Sequence, residues 1–60
     1  MLKFKAYLVE HKIKQKEVAE LLNISVQQLN RKLNGFEPFT LSQVKIICEH
    51  YHISADEYFI

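Results

Sequence analysis

Sixty residues with a formal net charge of +1 and 48% hydrophobic side chains make one domain and leave no room for a second. A chain this short buries only about 60% of its unfolded surface, so it folds alone with a small margin or leans on a partner. A single cysteine excludes an internal disulfide and suits a reducing cytoplasm, and no run of about 18 apolar residues is present to span a membrane. The N-terminus, Met1-Leu2-Lys3-Phe4-Lys5, lacks the apolar core and small-residue cleavage site of a signal peptide. A cytoplasmic protein is therefore expected. Because the chain begins with Met1 and ends soon after its last expected helix, a whole regulator is expected rather than a fragment of a larger one.

Leu2 to His11 reads as a first helix, with Leu2 or Phe4, Ala6 or Tyr7, Leu8 and Val9 offering inward positions and Lys3, Lys5 and Glu10 on wetter sides. Lys12-Ile13-Lys14 links it to the next element, and Ile13 is expected to enter the core. Gln15 to Leu22 places Val18, Leu21 and Leu22 at i, i+3 and i+4, the spacing of one helical face, with Ala19 beside them. Asn23 follows at once, and asparagine tolerates the left-handed conformation that stops a helix abruptly. Ile24 supplies an apolar plug, and Ser25 sits where an N-cap belongs.

The next helix is expected from about Val26 to Asn34, with Leu29 and Leu33 facing inward. At about 100° per residue, the opposite side carries Gln27, Arg31 and Asn34, flanked by Gln28 and Asn30. That face has no carboxylate and is rich in donors that pair bidentately with adenine or guanine edges. Gly35 ends the helix as a residue with positive φ would.

Phe36-Glu37-Pro38-Phe39 is a loop, since proline cannot continue a helix, and its two phenylalanines are expected to cover the core. Thr40 with Gln43 forms a capping-box pattern, and Leu41, Val44, Ile47, Cys48 and Tyr51 recur as an apolar stripe. His52-Ile53 breaks it. Ser54 with Glu57 repeats the capping-box pattern for a last helix, Ala55 to about Phe59. The expected fold is all-α: a compact bundle of about five short helices without a strand.

Charge is divided along the chain. Residues 1–35 carry seven lysines and arginines against three carboxylates, a net +4, whereas residues 36–60 carry Lys45 against four carboxylates, a net −3. The positive potential thus falls on the half that holds the polar helix face, which is what attraction to phosphate requires.

Other chemistry is weighed and set aside. Cys48 and His52 are four apart with His50 nearby, but a structural zinc site wants four ligands in paired clusters, so no metal is expected. A single glycine cannot build a phosphate cradle for a nucleotide cofactor, and Asp56-Glu57 suit the positive end of a short helix. Neither an enzyme nor a cofactor is expected.

Gln15, Ala19, the Asn23 turn, Ile24, Ser25, Leu29, Arg31 and Asn34-Gly35 resemble the helix-turn-helix of the Cro and repressor (lambda-repressor-like) family of phage and bacterial transcription regulators. The likeness extends through Phe39-Thr40-Leu41 to Asp56-Glu57-Tyr58-Phe59. Two positions depart: the family usually has an apolar residue where this chain has Lys32, and glycine where it has Asn23. The resemblance implies a sequence-specific double-stranded DNA-binding regulator, with residues 26–34 as the recognition helix in the major groove and repression by promoter occlusion.

Within that reading, base contacts are expected from Gln27, Gln28 and Arg31, with Ser25 and Val26 at the helix start placed to touch bases or a thymine methyl. Phosphate contacts are expected from Lys14, Gln15, Lys32 and Asn34, and the resemblance adds the backbone at Phe36. One copy reads only a few base pairs, so a homodimer on a pseudo-palindrome is expected. Tyr58-Phe59-Ile60 and exposed parts of the fourth helix either form that contact or close the monomer's own core. The alternative function is a protein-interaction module of the same fold, an antirepressor or modulator that binds no DNA itself.

Overall fold

The apolar periodicity resolves into five helices in a computed structural model that describes residues 2–59. They are α1 Lys3–Glu10, α2 Gln15–Leu22, α3 Val26–Leu33, α4 Leu41–Tyr51 and α5 Ala55–Tyr58. No strand occurs among the described residues, and the all-α expectation holds. The short helices fold into a body of 24 × 22 × 20 Å. In it α2 packs on α3 and α4, and α5 packs on α1 and α4.

The core is one cluster drawn from the first four helices: Phe4 and Leu8, then Val18, Ala19 and Leu22, then Leu29 and Leu33, and finally Ile47. Phe4 sits at its centre with no exposed surface. The rings of Tyr7, Phe39, Tyr51 and Phe59 surround it at centroid distances of 6.0, 6.4, 6.3 and 5.1 Å. The Tyr7 ring is stacked on it, Phe39 meets it edge-on, and Tyr51 and Phe59 are tilted, arrangements that aromatic pairs favour at these separations. A single ring from α1 thereby ties the loop, α4 and the C-terminus together.

Three helices end on left-handed residues that are not glycine or run into one: Lys12, Asn23 and His52 have φ of 56°, 57° and 57°. Asn23 behaves as expected. With ψ 43° it reverses the chain after α2, and the next amide, Ile24, donates back to the Ala19 carbonyl at 3.0 Å, which satisfies an orphan acceptor at the helix end. Ile13, Ile24 and Ile53 each follow such a residue and each packs against the core. Every one of these stops is thus paired with an apolar plug.

Several expectations need correction. Val9 is 73% exposed, Phe36 76% and Leu41 87%. Leu41 shares the angular position of the α4 stripe, yet it is the first residue of that helix and has no core beneath it. Of the stripe only Ile47 is buried, with Val44, Cys48 and Tyr51 half-buried. Phe39 alone of the two loop phenylalanines covers the core. The Thr40-Gln43 capping box forms in both directions, whereas Ser54 occupies the N-cap position of α5 without a side-chain cap bond. Tyr58 and Phe59 pack against the core, closing the monomer. Ile60, the last of the three C-terminal residues of the expected contact surface, lies outside the described residues.

Candidate nucleic-acid interface

α3 is held by its inner face. Leu29 and Leu33 have no exposed surface, so the rotation of the helix about its axis is fixed, and Gln27, Asn30 and Arg31 are exposed on the other side. Val26, beside them, is 44% exposed. From Leu21 to Phe36 the chain contains no carboxylate. An exposed row of amides with one guanidinium, on a helix with no carboxylate of its own, offers hydrogen-bond donors and acceptors that suit base edges and phosphates.

At the N-terminus of α3, Ser25 is the expected N-cap. Ser25 Oγ accepts from the Gln28 amide at 3.0 Å, and Gln28 Oε1 accepts from the Ser25 amide at 3.3 Å. Together they form a capping box. Both residues were expected at bases, but their side-chain oxygens are turned onto the start of their own helix. Gln27 and Val26 remain as open positions there.

At the other end of α3 the expected phosphate contacts are also drawn inward. The amides of Asn34, Gly35 and Phe36 donate to the carbonyls of Asn30, Lys32 and Arg31 at 3.0, 3.2 and 2.9 Å, with Gly35 at φ +85°. The Phe36 backbone is therefore engaged in the helix end, contrary to expectation. The Asn34 side chain is engaged as well: Nδ2 donates to Asn30 O and Oδ1, both at 3.0 Å, and Oδ1 accepts from Lys5 Nζ at 2.7 Å.

Lys32 departs furthest from its expected role. It is only 8% exposed, its Nζ donates to the Pro38 carbonyl at 3.0 Å, and the ammonium stands 5.8 Å from the centre of the Phe39 ring. The methylene stem fills a core position, and the charged end is satisfied by a carbonyl and an aromatic face. Lys32 is thus withdrawn from the phosphate set. Its place on the wheel, about 60° from Leu29, was the sequence signal for this. Lys14 and Gln15 stand at the start of α2, Lys14 exposed and Gln15 half-buried.

Three residues outside the expected set enter the site. Asn30 and Lys5 hold Asn34 in place, and Glu37 Oε1 accepts from Arg31 Nε at 2.8 Å. Glu37 is the one carboxylate between Glu20 and Glu49, a singularity that the sequence displays.

Elsewhere the chemistry is sparse. Burial pushes the Cys48 thiol above its ordinary range. Burial also raises Tyr51, aided by the Glu17 carboxylate that accepts its hydroxyl at 3.4 Å. Among the described residues no three His, Cys, Asp or Glu side chains converge to hold a metal. An open depression of about 370 Å³ lies between the loop, α4 and the C-terminus, lined by Leu2, Pro38, Phe39, Val44 and Phe59 among others. No helix among the described residues is long and apolar enough to cross a membrane.

No curated protein and no solved structure matches the chain. The model of the BetR domain matches residues 4–60, which takes in α2 to α5 and all of α1 but its first residue. The chain belongs to the BetR domain family.

Proposed function

We propose that this domain is a sequence-specific double-stranded DNA-binding regulator of the Cro or repressor kind. In this reading α3 enters the major groove and α2 braces it across the backbone. The observation that carries the proposal is the pairing of a fully buried Leu29-Leu33 edge with an exposed polar face of Gln27, Asn30 and Arg31 on a helix that has no carboxylate of its own. The concentration of positive charge in residues 1–35 supports it. Gln27 and Arg31 read base edges, Val26 meets a thymine methyl, and Lys14 and Gln15 at the start of α2 hold phosphate.

The domain would act in the cytoplasm and would bind as a homodimer, because one exposed face of this size covers only a few base pairs. Occlusion of a promoter is then sufficient for repression.

Selection of bound duplexes from a random pool tests the reading directly. A pseudo-palindromic site should emerge, and binding to it should weaken steeply between about 50 and 200 mM salt. Enrichment of no sequence, or an affinity indifferent to salt, would refute the proposal and favour a protein-interaction module.

A further inference from the structure

Resting on the DNA-binding reading, we propose that Glu37 is a positioning residue that sets the base specificity of Arg31. Arg31 is the only arginine in the chain, and its side chain keeps 56% of its surface. A free guanidinium on a flexible stem can present either its Nε edge or its terminal Nη1-Nη2 edge. Here Glu37 Oε1 occupies Nε at 2.8 Å, and the terminal nitrogens make no hydrogen bond with any described residue. The remaining fork is the end-on pair of donors, which matches the O6 and N7 acceptors of guanine in the major groove.

The backbone that carries Glu37 is itself held. On one side the Phe36 amide donates to the Arg31 carbonyl at 2.9 Å. On the other, the Pro38 carbonyl accepts from the buried Lys32 at 3.0 Å, and the ring of Pro38 restricts the backbone of Glu37. Glu37 therefore stands between two fixed points. Holding the Arg31 fork before DNA arrives reduces the ordering needed at the moment of binding. A carboxylate near the duplex repels phosphate, so Glu37 lowers affinity for every sequence while sharpening the choice among them.

The test compares wild-type protein with Glu37→Ala, Glu37→Gln and Arg31→Ala. Each is titrated with the selected duplex and with duplexes in which each guanine of the half-site is replaced in turn. Thermal melts confirm that each variant is folded. Glu37→Ala should lose about tenfold of the discrimination at one guanine and bind unrelated DNA more tightly. Glu37→Gln keeps an acceptor for Nε, so it should retain most of the discrimination while sharing the gain in non-specific affinity. If Arg31→Ala loses discrimination at that guanine and Glu37→Ala does not, the positioning role falls and the DNA-binding reading stands. Failure of wild-type protein to select any duplex overturns both.

Discussion

A lysine can hold a phosphate or complete a core, and Lys32 decides between these by where its stem lies. Packed beneath Phe39 with its ammonium on the Pro38 carbonyl, it occupies a position at which the resembling family usually has an apolar residue. Lys32→Ala should destabilise the fold by about 1–3 kcal/mol, since it removes a buried stem and leaves the Pro38 carbonyl without its donor. Lys32→Met should recover much of that loss. The slope of log affinity against log salt, which falls by about 1 for each phosphate contact removed, should be unchanged in Lys32→Met. A reduced slope would return Lys32 to the phosphate set.

Tyr51 supplies a pH dependence with a definite sign. Burial and the neighbouring Glu17 carboxylate raise its pKa in the folded protein, so the folded state holds its proton more tightly than the unfolded state does. The stabilisation is complete below the unfolded value of about 10 and is lost as pH climbs through the folded value. Urea midpoints followed from pH 8 to pH 11 should fall less steeply for Tyr51→Phe than for the wild type. Parallel curves would show that neither the burial of Tyr51 nor its Glu17 contact persists in solution.

At the scale of the element, local rules carried far. The stops at Asn23 and Gly35, the caps at Ser25 and Thr40 and the inward leucines of α3 were all legible, because each depends on residues within one helical turn. Ser25→Ala should cost about 1 kcal/mol in a denaturant titration, the usual worth of an N-cap. Asn23→Gly should cost nothing or add slightly, because its φ of 57° is one that glycine adopts without strain. A large loss for Asn23→Gly would mean that the asparagine side chain has a task beyond the turn.

The illegible features are those in which one side chain has two chemically similar options. Gln28 carries the same amide whether it closes a capping box with Ser25 or reads a base, and periodicity cannot separate the two. The Arg31-Glu37 and Lys5-Asn34 pairs span six and 29 positions, outside any helical repeat. Leu41 shows the converse limit: a wheel gives the direction of a side chain but not whether the core extends to that end of the helix.

For the whole molecule, size and charge act together. A sixty-residue chain with eight buried apolar side chains among its described residues is stable by little margin, so any partner bound only by the folded state should raise the melting temperature visibly. Cognate duplex at about 100 times its dissociation constant contributes about 2.7 kcal/mol, which for a domain of this size corresponds to roughly 10–20 °C. Because the positive charge is gathered in residues 1–35 and the second part is net negative, the attraction to DNA that the proposed function requires would be directional. Unrelated duplex at the same concentration should therefore shift the melt much less, and raising the salt from 50 to 200 mM should remove most of either shift. A melting temperature that ignores cognate duplex at low salt would sever the exposed face of α3 from DNA and leave its row of amides without a reader's role.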